Sequence, residues 1–191
     1  MSISKWPRIA SEPLHDYRVF TTRQDTRISP RTGREHTFFV IESSDWINII
    51  PLTAEGEVVM IEQFRHGNAS ITLEIPGGLV DAGENPLDAA VRELREETGY
   101  MGEKALPIGQ VAPNPALFNN TCYSFVALNC QQVGAQQFDG SEDISVRLVP
   151  LADVPDLIRQ GQITHALTIN AFYFWDLWQR SAEGGMRNDK K

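Results

Sequence analysis

Hydrophobic and polar positions alternate with a period near two in several short runs and with a helical period in three longer ones, so the chain reads as strands interleaved with a few helices. Strand-like runs fall at 37–41, 46–52, 57–63 and 72–75, the last stopping at Pro76-Gly77-Gly78. They resume at 105–111, 122–129 and 145–150. Between the two groups, 86–98 places Leu87, Ala90, Val91 and Leu94 on one helical stripe, the pattern of a face packed on a core. The ends of that helix are marked: Asn85 can cap it, Pro86 suits its first position, Asp88 favours the dipole and Gly99 can terminate it. Helical stretches at 152–160 and 164–178 close the chain, and a charged tail from 181 is expected to be disordered. The first 36 residues look irregular, rich in Arg, Thr, Ser and Pro with a turn at 29–33. The pattern predicts an α/β fold with a mixed sheet covered on both sides. Residues 1–45 would form an N-terminal arm or small antiparallel sheet, 46–180 the main domain and 181–191 the tail.

Composition narrows the picture. With 191 residues, 41% of them hydrophobic, the chain can bury one ordinary core with a small appendage. Seventeen Lys and Arg against 25 Asp and Glu leave a net charge of -8, which argues against wrapping nucleic acid or anionic lipid. No membrane span or secretory signal is evident, so a cytoplasmic location is expected. Cys122 and Cys130 form no metal or disulfide pattern and read as buried packing residues. His15, His36, His66 and His165 are scattered and suggest neither a triad nor a metal pair.

The chemistry concentrates on the 86–98 helix. Glu93, Glu96 and Glu97 are related by three and four residues, so they project from one stripe beside the buried face. Three carboxylates within one turn repel one another, and partial burial raises the cost, so the cluster calls for a cation. Oxygen donors point to magnesium or manganese. A solvated acidic face paired with Arg92 and Arg95 is the bland alternative, but the preceding 75–84 loop changes the balance. Its glycines let backbone approach a metal or phosphate, and Glu84 can reach back to Arg92.

Residues 78–100, GLVDAGENPLDAAVRELREETGY, resemble the Nudix box, G-x5-E-x7-R-E-U-x-E-E-x-G-U. Gly78, Glu84, Arg92, Glu93, Leu94, Glu96, Glu97, Gly99 and Tyr100 meet its specified positions, Tyr100 as an aromatic in an apolar slot. The resemblance implies an α/β/α sandwich with Glu93, Glu96, Glu97 and the Gly77 carbonyl as metal ligands. Glu84 and Arg92 would be the ion pair that shapes the box, and Glu93 and Glu97 catalytic groups. A general base is also needed. Similarity to ADP-ribose pyrophosphatases suggests Glu142, on the acidic 139–144 loop, with Asp143 or a box glutamate as rivals.

Substrate marks come from the same resemblance. Pro115 stands sixteen positions after Gly99, where ADP-ribose-hydrolysing members commonly carry proline, and Arg65 matches a phosphate-contacting arginine. The stretch 114–120 departs from the usual serine-proline-glycine loop, which leaves the terminal sugar open. Trp46 could stack on a base or sit in the core. The implied reaction is hydrolysis of ADP-ribose or a related nucleoside diphosphate sugar by a homodimer whose N-terminal arm reaches the partner. Two alternatives stay open: a Nudix hydrolase acting on GDP-mannose, dinucleoside polyphosphates or nucleoside triphosphates, and a non-catalytic nucleotide-sugar sensor.

Overall fold

In the computed structural model, which describes residues 3–137 and 143–188, each run with strand periodicity lies in a paired strand. The chain divides into two units, Met1–Asp45 with Ala112–Thr121, and Trp46–Val111 with Cys122–Lys191.

In the first unit β1 (Arg8–Asp16), β2 (Thr21–Ile28) and β3 (Glu35–Glu42) form an antiparallel sheet in that order. Of the two forms the sequence left open for the opening segment, an arm and a small antiparallel sheet, it takes the sheet. Apolar alternation could not reveal it, because much of what holds the sheet together is polar. Asp25 on β2 is fully buried. It accepts from Ser11 Oγ at 2.8 Å, from Arg23 Nε at 3.0 Å and from Arg27 Nη2 at 3.0 Å, with Arg8 Nη1 at 3.7 Å. Burial favours the protonated acid, but the hydrogen bonds from Arg23, Ser11 and Arg27 outweigh it and bring the Asp25 carboxyl down to about 2. Arg23 also pairs with Glu42 across the sheet. The 112–121 segment joins this unit through the Ile41 amide, which donates to the Leu117 carbonyl at 2.8 Å.

The second unit contains β4 (Trp46–Pro51), β5 (Glu57–Arg65), β6 (Ser70–Glu74), β7 (Gly77–Leu79), β8 (Tyr100–Met101), β9 (Lys104–Val111), β10 (Cys122–Leu128), β11 (Gln131–Gln132) and β12 (Ile144–Pro150). Its helices are α1 (Pro86–Thr98), α2 (Val154–Arg159) and α3 (Ala166–Asn188). The expected mixed sheet is split in two. One is mixed, ordered β7-β4-β10-β9 with β4 and β10 parallel; the other is antiparallel, ordered β12-β5-β6. The short β8 and β11 pair separately.

Alternation along β4 and β10 sets the layers. Ile47 and Ile49, with Phe125 and Ala127, pack against Ala89, Ala90 and Leu94 of α1. Ile50 and Val126 face the other way and join Val58 and Met60 of β5 with Ala171, Phe172 and Trp175 of α3. The result is the α/β/α sandwich, with β4 at its centre. Burial of Leu94 alone stabilises this arrangement by about 2 kcal/mol.

Two helix expectations need correction. Val91 is only partly buried, while Ala89, Leu94, Glu97 and Thr98 are fully so. The packed face of α1 is thus rotated toward the acids and takes Glu97 into it. At the C-terminus α3, expected to end at 178, runs to Asn188. An exposed Asp176–Arg180 pair, 2.8 Å apart at helical spacing, supports the turn beyond Trp178. Cys122 and Cys130 are buried and form no disulfide with each other, and burial pushes the Cys130 thiol up to about 12. Among the described residues, no helix is long and apolar enough to cross a membrane.

Candidate active site

The 75–100 segment builds a rigid corner. Asn85 Oδ1 accepts from the Leu87 amide at 2.9 Å, Pro86 opens the helix, and Gly99 closes it at φ 72°, donating its N–H to the Arg95 carbonyl. These caps fix the register in which α1 leaves β7. β7 pairs with the start of β4, Gly78 opposite Ile47 and Gly77 opposite Asn48. A Cβ on Gly78 would collide with the Glu93 carboxylate, and one on Gly77 would lie 2.5 Å from the Ile47 carbonyl oxygen. The glycines are required because strand and acid come together there.

Arg92 is the hub of the acid cluster. Its Nε and Nη2 donate to the two oxygens of Glu84, each at 3.0 Å, and Nη2 also donates to the Leu79 carbonyl at 3.2 Å. Its Nη1 donates to Glu93 Oε1 at 2.9 Å and Glu96 Oε2 at 3.2 Å. The loop is thereby tied to the helix by the expected Glu84–Arg92 contact. Hydrogen bonds from Arg92 hold the Glu84 carboxyl below the usual carboxylate range, and the Arg92 guanidinium is raised in turn. The three acids differ in setting. Glu97 is 3% exposed and accepts the Gly77 amide at 2.9 Å, while the side chains of Glu93 and Glu96 are 14% and 40% exposed.

Among the described residues, no three acidic, His or Cys side chains converge into a preformed coordination shell. Glu93 and Glu96 turn toward Arg92, and Glu97 toward Gly77. The donor set nonetheless fits a hard divalent cation. Glu84, Glu93 and Glu96 share the Arg92 guanidinium, Glu97 is buried beside them, and the Gly78 backbone leaves Glu93 room that a side chain would fill.

In front of this corner lies a cleft of about 1030 Å³. Trp46, Arg65, Gly77, Gly78 and Asp143 are among its walls, so five residues singled out by sequence converge there, along with the overlooked Glu74 and His165. Arg65 is not a free surface cation: it grips Glu74 in a two-pronged ion pair, Nε to Oε1 at 2.9 Å and Nη2 to Oε2 at 2.7 Å. Pro115 belongs to the first unit, in the 112–121 segment. Glu142 lies outside the described residues. A second hollow of about 600 Å³ lies along the Leu87–Val91–Arg95 flank of α1, beside Met101 and Lys104.

Glu74 and His165 form a pair that the scattered placing of the histidines in the sequence did not suggest. His165 Nδ1 lies 3.0 Å from Glu74 Oε2. The signal was in the sequence: Glu74 sits inside the apolar run Leu73-Glu74-Ile75 ahead of Pro76, and a carboxylate in such a strand is rarely buried without partners.

The stretch of chain that holds this corner matches a known family. The NUDIX domain matches residues 43–171, well over half the sequence, and the chain belongs to that family. Among its relatives, an ADP-ribose pyrophosphatase of Mycobacterium tuberculosis is 29% identical over 163 residues, spanning 84% of this chain and 78% of that protein. A mouse ADP-sugar pyrophosphatase is 34% identical over 126 residues, spanning 60% and 58% respectively. The Escherichia coli ADP compounds hydrolase NudE is 25% identical over 180 residues, 93% of this chain and 95% of that one. A crystal structure of an ADP compounds hydrolase superposes with a TM-score of 0.83 at 22% identity, covering 95% of this chain and 98% of that chain, which shows the fold.

Proposed function

We propose that this Nudix pyrophosphohydrolase cuts the pyrophosphate bond of ADP-ribose or a related nucleoside diphosphate sugar, releasing a nucleoside monophosphate and a sugar phosphate. One observation carries the reading: Glu93 and the buried Glu97 stand against the Gly77-Gly78 strand, which walls a cleft large enough for a nucleotide sugar, and Glu96 shares Arg92 with Glu93. Relatives named for ADP-ribose and ADP-sugars support the substrate class.

Glu93, Glu96, Glu97 and the Gly77 carbonyl would hold magnesium or manganese. A divalent ion bound there supplies neutralisation of the pyrophosphate oxygens and a more acidic water. The chain's own groups do the rest. The Gly77 amide orients Glu97 and the bare Gly78 backbone seats Glu93. Arg92 keeps loop and helix in register, and Arg65, held by Glu74, would present its remaining N–H groups to a phosphate oxygen. We assign the proton-accepting role to Glu142, with Asp143 on the cleft wall as the rival. Trp46 would stack on the base. We further propose a cytoplasmic homodimer in which the first unit, carrying Phe38 and Phe39 at 41% and 59% exposure, supplies contact to the partner.

The test is a magnesium-dependent screen of ADP-ribose, other nucleotide sugars and nucleoside triphosphates, with products resolved by charge. AMP and ribose 5-phosphate from ADP-ribose are the expected products. Pyrophosphate from a triphosphate, with ADP-ribose untouched, would overturn the substrate. Binding of ADP-ribose without turnover in saturating magnesium would overturn catalysis.

A further inference from the structure

At the cleft, Glu74 is 1% exposed and both of its oxygens are engaged. Oε1 accepts from Arg65 Nε at 2.9 Å and Thr72 Oγ at 2.5 Å; Oε2 accepts from Arg65 Nη2 at 2.7 Å and lies 3.0 Å from His165 Nδ1. Burial opposes its charge, but the hydrogen bonds of Arg65 and Thr72 prevail and hold the carboxyl below its ordinary value. An ionised carboxylate only accepts, so neutral His165 must carry its proton on Nδ1, which leaves the lone pair on Nε2. Thr168 Oγ, 3.1 Å from the same Nδ1, steadies the ring from the first turn of α3. Burial, helped by the charge of Arg65, keeps the imidazole below its ordinary value against the pull of Glu74, which favours the neutral ring near pH 7.

Nε2 itself has no partner among the described residues, and the His165 side chain, 33% exposed, lines the cleft together with Arg65. A nitrogen that can only accept, on the same buried carboxylate as a guanidinium, matches a ligand that presents an O–H beside a phosphate. A sugar phosphate does this.

We propose that His165 Nε2 accepts a hydrogen bond from a sugar hydroxyl neighbouring the phosphate held at Arg65, with Glu74 as the positioning residue that fixes the acceptor tautomer. This rests on the nucleotide-sugar reading above and adds to it a specificity contact. His165→Asn keeps an N–H donor for Glu74 but removes the acceptor; His165→Gln reaches the Nε2 position but gives up the donor.

The experiment measures kcat and KM of wild type, His165→Asn and His165→Gln on ADP-ribose and its monodeoxy analogues. Loss of one neutral hydrogen bond predicts a KM about 5- to 10-fold higher for His165→Asn, with kcat within about twofold. That penalty should vanish on the analogue lacking the partnered hydroxyl, and His165→Gln should restore KM. An equal effect on every analogue, or none, overturns the contact. Should the Asn variant not fold, wild type with 15N-labelled histidine decides: an unprotonated Nε2 resonance that moves on addition of ribose 5-phosphate is expected, and a protonated or unmoved one overturns the proposal. Absence of wild-type turnover of any ADP-sugar in magnesium brings down the substrate reading and this inference with it, whereas normal turnover with indifferent His165 variants brings down this inference alone.

Discussion

The two units solve opposite charge problems. In the first, three arginines, Arg8, Arg23 and Arg27, surround one buried acid, Asp25. In the second, one arginine, Arg92, is shared among Glu84, Glu93 and Glu96, while Glu97 is buried beside them. Both clusters are partly buried networks of acid and guanidinium. The Asp25 network is complete within the fold, since every bond to the carboxylate comes from the protein, and its contribution is structural. The α1 network carries more acidic than basic side chains, which is why we propose that a divalent ion completes it. Charge balance around the acid, more than acid count, separates a brace from a binding site.

The comparison breaks most sharply at Glu97. Glu97→Gln keeps an acceptor for the Gly77 amide but removes the buried charge, and should lower kcat/KM by about 10³-fold while changing stability little. A variant that retains turnover would mean that the buried acid is a brace like Asp25. Asp25→Ala should do the reverse. Stranding its arginine partners removes about 3 kcal/mol of stability, read by chemical denaturation, with no dependence on added metal. Only slightly smaller is the effect of magnesium itself. An ion that binds the folded chain stabilises it by about 2.7 kcal/mol at a hundredfold excess over its Kd. The melting temperature of wild type and of Asp25→Ala should rise with magnesium, and that of Glu97→Gln should not.

Legibility in the sequence followed the same divide. The α1 corner was readable because each of its devices is local: caps at Asn85 and Gly99, acids three and four residues apart, glycines at a strand end. The rotation of α1 that buries Glu97 was not readable, because it is set by contacts with Ile47, Ile49 and Phe125 from distant strands. For the first unit the sequence left an arm and a small antiparallel sheet both open, since β2 carries Arg, Asp and Thr where an apolar strand would carry Val and Ile, and its pairing comes from residues on three separate strands. Glu74 and His165 are 91 positions apart, and no local period connects them. The split of the central sheet likewise depends on which strands meet, which alternation alone does not state.

The gentlest probe of the comparison is acid. The Asp25 carboxyl is brought from its ordinary 3.8 down to about 2 by its network, so the unfolded chain takes up a proton at a higher pH than the folded one. The stability this confers is fully present above the unfolded value and is lost as pH falls through the window from about 4 to about 2. Glu84 shifts in the same direction through Arg92, so it also contributes above its ordinary range and fades on acidification. Stability measured across that window should therefore fall more steeply for wild type than for Asp25→Asn. Magnesium would add a distinction: carboxylates hold such an ion only when deprotonated, so any metal-dependent part of stability should collapse on acidification while the Asp25 part persists toward about 2. If Asp25→Asn left the acid slope unchanged, the arginines of the first unit would be spectators, and the contrast with the α1 corner would lose its structural half.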